Sequence, residues 1–281
     1  MYNTLSTIKI RRLDYMSVKL KNFTNEERKV IEQLENFSVL EHLRDQSVAP
    51  GNAVDEYYMA KMGVRRRQLV VDLNGSNSLV TQAGAMQWIF GNISATTGVK
   101  GVGDLFGKMV KGAVTKESAI KPEYVGVGRI VLEPTYKYII LQDVAAWGDS
   151  GMSIEDGMFL ACDGNVEHKI AARTNFSSAI AGNEGLFNLS LRGRGVVALE
   201  SNVPASEIVT VELDNDVLKL DGSFAICWST SLQFTVERSS KSLIGSAVNG
   251  EGLVNVFRGT GKVMISPTNR STASLFATTH N

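Results

Sequence analysis

A segment of about 67 residues recurs three times along this chain, and any fold it adopts has to accommodate that repetition. The first copy reads Lys116-Glu117-Ser118, then Gly126-Val127-Gly128-Arg129-Ile130-Val131-Leu132. The second reads Asn183-Glu184-Gly185, then Gly193-Arg194-Gly195-Val196-Val197-Ala198-Leu199. The third reads Gly250-Glu251-Gly252, then Gly259-Thr260-Gly261-Lys262-Val263-Met264-Ile265. The glutamates stand 67 residues apart at both steps, and the second glycines of the GxG pairs 67 and then 66 apart. Upstream, Asp156-Gly157-Met158-Phe159-Leu160-Ala161-Cys162 matches Asp221-Gly222-Ser223-Phe224-Ala225-Ile226-Cys227, which puts the two cysteines at one position of two copies. Residues 83–89 are the counterpart in the first copy.

Each copy reads as short strands. Residues 186–191, 196–199, 208–213 and 232–236 alternate or run apolar between Gly, Asn and Asp turns. The expected class is therefore all-β. Unit one spans 67–137, unit two 138–206 and unit three 207–270, with a tail at 271–281. A unit of this size buries too little surface to be secure alone, so fused copies, and several chains, are expected to cover each other's strand edges. The recurring glycines, Gly126, Gly128, Gly193, Gly195, Gly259 and Gly261, are read as structural, marking a bend or close backbone approach. A dinucleotide fingerprint needs a third glycine and a following helix, and here a strand-like Ile130-Val131-Leu132 follows.

Residues 1–66 are expected to be a helical extension. Thr24 and Glu27 have capping-box spacing, and Val30, Ile31, Leu34, Phe37, Val39, Leu40 and Leu43 mostly follow one stripe that predicts a helix over 23–45. Pro50 and Gly51 end it, and 55–62 reads as a second short helix. The first helix either packs on the β body or a neighbouring subunit, or serves as an arm for a protein partner. Arg65-Arg66-Arg67 reads as a solvated basic run leading into the first strand. Unit one is longer than the others near 99–116, where Val102, Leu105, Phe106, Met109, Val110 and Ala113 fall on one helical stripe. That helix would rest on the β body, on a partner, or on a membrane surface.

The side-chain inventory argues against an enzyme. The three histidines, His42, His168 and His280, include none at metal-ligand spacing, and no GxSxG elbow is present. No catalytic residue, metal or cofactor is expected. Cys162 and Cys227 sit among apolar neighbours and read as core thiols, which fits a reducing, cytoplasmic compartment. Lysine plus arginine and aspartate plus glutamate number 29 each, so the basic excess of a nucleic-acid binder is missing. No apolar run reaches the roughly 18 residues of a membrane span.

The GEG…GxG pattern, its Asn183-Glu184-Gly185 variant and the Gly-rich stretch before Glu117 resemble the Altered Inheritance of Mitochondria protein twenty-four family over residues 67–267. Ser118 departs from that pattern, where a glycine is expected. The resemblance implies three tandem units like the tryptophan RNA-binding attenuation protein, each a short double-stranded β-helix, and a homotrimeric ring of nine units. The expected function is a non-enzymatic oligomeric scaffold or interaction protein. The alternative is a small-ligand or RNA-binding ring, by analogy with the attenuation protein. Glu117, Glu184 and Glu251, with Arg192 and Arg258 beside the GxG, are the candidate repeated contacts.

Overall fold

A computed structural model describes residues 20–96, 121–172, 187–221, 224–238 and 253–268. In chain order the elements are β1 (Arg28–Leu34), β2 (Phe37–His42), α1 (Ala53–Lys61), β3 (Arg67–Thr81), β4 (Met86–Thr96), β5 (Glu123–Leu132), β6 (Tyr138–Asp143), β7 (Met152–Ile154), β8 (Phe159–Asp163), β9 (Glu167–Ala172), β10 (Phe187–Arg192), β11 (Val196–Ser201), β12 (Val209–Asp221), β13 (Ala225–Ser229), β14 (Gln233–Arg238) and β15 (Leu253–Ile265). The described residues are predominantly β, in two curled antiparallel sheets.

The eight-stranded sheet runs β1-β2-β3-β8-β11-β6, with β5 on β3 and β4 on β5. It curls until β1 approaches β6, where the Glu32 carboxylate accepts a hydrogen bond from the backbone of Leu141 and burial raises its pKa. The seven-stranded sheet runs β12-β15-β13-β7-β10-β9, with β14 on β15. Phe37, Leu69, Leu79, Ile130 and Leu132 are buried in one core of the first sheet. A second core draws Val80, Phe159 and Leu199 from the first sheet together with Met152, Ile154 and Leu191 from the second. Trp228, Phe234 and Phe257 pack into a third, with ring centroids 5.1–5.3 Å apart.

The helix expected over 23–45 is instead the hairpin β1–β2. Two local choices defeat the capping-box reading. Asn25, not Thr24, closes the entry turn, its Oδ1 accepting from Glu27 N at 2.8 Å. Glu35 takes φ +51° in the two-residue connection between Leu34 and Phe37. The decisive term is tertiary. Phe37, Val39 and Leu40 are wholly buried, and β2 pairs with β3 from Phe37↔Val71 to Glu41↔Arg67. A stripe at helical spacing thus lost to pairing on a waiting strand edge. The second helix expected nearby is α1. Its predicted companion near 99–116 and the tail at 271–281 lie outside the described residues.

Arg65, Arg66 and Arg67 also depart from the solvated reading. Arg67 is nearly buried, bonds Glu41 at 2.6 Å and lies 4.0 Å over the Tyr138 ring. Arg66 bonds Asp45 at 2.8 Å and Glu56 at 3.3 Å, and its Nε donates to the Tyr136 hydroxyl. Arg65 bonds Glu41 at 3.0 Å. The run clamps β2 and α1 to the sheet.

One irregularity recurs three times. β4 skips Gln87 against β5, passing from Met86↔Leu132 to Trp88↔Val131. β8 skips Leu160 against β11, from Phe159↔Leu199 to Ala161↔Ala198. β13 skips Ile226 against β15, from Ala225↔Ile265 to Cys227↔Met264. Each bulge stands at the same distance past its GxG. That register corrects the cysteine alignment by one step: Cys162 faces Val197, two residues past Gly195, whereas Cys227 faces Met264, three past Gly261.

Because the hairpin supplies core, Phe37→Ala is expected to lower global stability by about 3–5 kcal/mol in chemical denaturation. An unchanged midpoint would mean that the hairpin is an independent appendage.

Candidate functional site

The functional geometry starts at the GxG pairs. Gly126 has φ +131°, and a Cβ there would lie 2.0 Å from the Asn92 carbonyl oxygen. A Cβ on Gly128 would lie 2.2 Å from the Phe90 oxygen, so β4 crosses β5 at a separation only glycine permits. Gly195 and Gly261 are closed differently, by the side chains of Asp163 and Ser229, each 2.8 Å from the point where a Cβ would stand. Those two side chains do the same work. Asp163 Oδ2 accepts from Val196 N at 2.7 Å, and Ser229 Oγ accepts from Lys262 N at 3.0 Å, satisfying the N–H that follows each GxG. Gly193 and Gly259 hold φ of +103° and +117° at the entry to the same bends.

The strands facing the GxG pairs absorb the mismatch. β3 passes from Asn74↔Val127 to Ser78↔Val125, and β12 from Leu213↔Gly261 to Asp216↔Gly259. In the middle of the chain the break is complete. β6 ends at Asp143, opposite Val196 in the first sheet, and β7 begins at Met152, opposite Leu191 in the second.

Two joins follow one rule. Leu79, Met152 and Leu218 each face the residue two before the first glycine of a GxG: Tyr124, Leu191 and Phe257. From Leu79, β3 joins β8 through Leu79↔Asp163, Val80↔Cys162 and Thr81↔Ala161, and Gln82 N donates to the bulge carbonyl of Leu160 at 2.8 Å. From Met152, β7 joins β13 through Met152↔Ser229, Ser153↔Trp228 and Ile154↔Cys227, and Glu155 N donates to the bulge carbonyl of Ile226 at 3.0 Å. Among the described residues β12 pairs only with β15, and β4 only with β5. Leu218 therefore begins a segment without such a neighbour, and Trp88 to Phe90 bound a receiving edge without one. Val217 and Met86 at these edges are exposed.

Of the sequence-predicted contacts, Arg192 and Arg258 lie among the described residues. Glu117, Glu184 and Glu251 lie outside the described residues. Arg192 ends β10, exposed and opposite Glu167. Arg258 lies on β15, where Nη1 bonds Glu237 Oε1 at 2.6 Å and Nη2 bonds Oε2 at 2.9 Å. That guanidinium holds the Glu237 carboxyl down to about 2. Cys162 and Cys227 are buried free thiols, the former pushed up to about 12 by desolvation. Among the described residues no group of three or more His, Cys, Asp or Glu could hold a metal ion, and no helix is long and apolar enough to cross a membrane. The open edges were not foreseen; their signal is the rule of the joins, which needs strand register to be read.

The chain matches a family model described as mitochondrial biogenesis AIM24 over residues 61–268. An uncharacterized protein of Streptococcus pyogenes serotype M6 is 28% identical over 207 residues, covering 71% of this chain and 80% of that protein. A crystal structure of a Streptococcus pyogenes protein superposes with a TM-score of 0.55 at 25% identity, covering 75% of this chain and 92% of that one. The β1–β2 hairpin precedes the matched range.

Burial pushes Asp163 up to about 6. A carboxyl raised in the folded state stabilises the fold in acid, and that contribution is lost as pH rises through about 6. Asp163→Asn keeps an acceptor for Val196 N and removes the titration. Relative to the wild type, the variant should therefore gain about 2 kcal/mol on going from pH 4.5 to pH 7.5. Urea midpoints at the two pH values measure this, and a pH-independent difference would show that Asp163 is not raised.

Proposed function

Since the chain belongs to the mitochondrial biogenesis AIM24 family, we propose that it is a non-enzymatic oligomeric scaffold, a ring of identical chains closed by the strand join that links units within each chain. In this reading unit one is β3–β5, unit two β6–β11 and unit three β12–β15. The recurrent bulge and the recurrent crossing at the GxG support three equivalent units of the double-stranded β-helix kind. The reading also places the protein in a reducing compartment, the cytoplasm, where two unpaired buried thiols are at home.

The observation that carries it is the pair of open edges. The join passes from unit one to unit two and from unit two to unit three. Continued once more, it takes the free segment of β12 to the free edge of β4 in the next copy. The register follows by counting. Leu218 stands opposite Phe90 of the next copy, Lys219 opposite Ile89 and Leu220 opposite Trp88. Asp221 N–H then meets the carbonyl of Gln87, the bulge residue of β4. The interface uses two different patches, so it closes into a ring when the rotation between copies divides a full turn. The family resemblance implies three copies and nine units.

Arg258 is already engaged by Glu237, which leaves the reading of a repeated basic contact for RNA without its second member.

Light scattering at two concentrations should give the mass of three chains. Lys219→Pro removes an N–H on the unpaired side of β12 and should leave monomers with an unchanged fold by circular dichroism. In the Lys219→Cys, Ile89→Cys double variant, mild oxidation should cross-link chains, because directly opposed strand residues lie within disulfide reach. A wild-type monomer at both concentrations, or a ring indifferent to Lys219→Pro and without cross-links, would sink this reading.

A further inference from the structure

The hairpin β1–β2, the strap at 43–48 and the start of β4 enclose polar space that the assembly reading does not use. One cavity of about 270 Å³ lies between Phe23, Arg28, His42, Gln68 and Trp88. A second of about 260 Å³ shares Arg28, His42, Asp45 and Ser47 with it. We propose that this cavity binds a small organic anion, with a flat apolar body against Phe23 and Trp88 and a carboxylate or phosphate at Arg28 and His42.

Charge bookkeeping singles out Arg28. Of the other arginines lining the two cavities, Arg66 is neutralised by Asp45 and Glu56, and Arg44 by Glu27 at 2.5 Å. Arg28 is half-buried, lines both cavities, and its guanidinium has no hydrogen bond or ion pair among the described residues. A half-buried guanidinium without a counter-charge forgoes bidentate hydrogen bonds that a carboxylate or phosphate supplies.

His42 is oriented by a chain of amides. Gln68 is buried, and its Nε2 donates to Gln87 Oε1 at 2.8 Å and to Leu132 O at 3.0 Å, which uses both hydrogens. Its Oε1 is therefore turned to His42 and accepts from Nε2 at 2.8 Å. That leaves Nδ1 without a partner among the described residues: it accepts from a protonated phosphate oxygen when the ring is neutral and donates to the anion when the ring is protonated. One wall is aromatic, since Phe23 meets Trp88 edge-on at 5.7 Å and Trp88 stacks with Phe90 at 6.1 Å. An apolar wall with a few convergent polar groups is the general form of a small-molecule site. The edge proposed for assembly is the hydrogen-bonding edge of β4, in the plane of the sheet, whereas side chains stand off its face.

The test uses the full chain and four probes by titration calorimetry: phenyl phosphate, benzoate, phenol and inorganic phosphate. Phenyl phosphate or benzoate should bind once per chain, at least tenfold tighter than phenol and tighter than inorganic phosphate. Arg28→Gln should weaken that binding tenfold or more. Backbone amide shifts in the wild type should centre on residues 28, 42 and 87–88, a readout independent of any variant. The proposal is overturned if neither organic anion binds below about 1 mM, if phenol binds equally well, if inorganic phosphate matches phenyl phosphate, or if Arg28→Gln binds like the wild type. Light scattering on the same samples records the assembly state, so the ring reading can fail without this one.

Discussion

The whole structure depends on one strand having neighbours on both sides before and after its bend. β5 and β15 are such strands, and β10 with β11 plays the part in the middle of the chain. The strand must bend where its neighbours cross it, and the crossing is closer than any side chain allows. At Gly126 and Gly128 the obstacle is the backbone of β4, while at Gly195 and Gly261 it is a side chain that caps the next N–H. Bend and cap are coupled: the bend exposes an N–H, and the residue that crowds the glycine satisfies it. A substitution at either glycine would therefore displace the acceptor as well as strain the backbone.

Much of this was legible in the sequence, because the repeat is a repeat of backbone demands. GxG followed by apolar residues announces a bent central strand wherever it occurs. The local sequence of 23–45 announced the wrong thing. Val30, Leu34 and Phe37 fit a helical stripe, yet Val39 and Leu40 are both buried, on opposite faces of β2 as a strand between two cores requires. A single-face helical template cannot express that. Arg65-Arg66-Arg67 misled for a related reason. Its partners Glu41, Asp45, Glu56 and Tyr136 are distant in sequence, so a clamp looked like a solvated run. The cysteine alignment missed by one because the bulges at Leu160 and Ile226 are invisible without strand pairing.

The cleft around Arg28 and His42 was illegible for the same reason. It is built from β1, β2, β4 and a strap, stretches that meet only because the hairpin docks on β3. Once docked, the hairpin adds Arg28 and His42 to the amides of Gln68 and Gln87 that the sheet supplies. The Gln68–Gln87 amide contact ties the two sides together, one residue from the buried start of β3 and the other the bulge of β4.

The hairpin also gives the chain a direction. In unit three the first half of β12, from Val209 to Leu213, pairs among the described residues only with β15. In unit one the matching half of β3 is covered by β2, from Arg67 to Val71. A long open edge is a hazard, because any extended chain can pair with it. In the proposed ring β4 receives a neighbour and β12 offers one. There, the covered half of β3 is withdrawn from the symmetric pairing that a bare edge would invite. The proposed join of β12 to β4 is head-to-tail, and on that proposal assembly ends in closure, when the last β12 meets the first β4. On that proposal the hairpin, which looks like an accessory to the β body, restricts how the bodies join by covering half of β3.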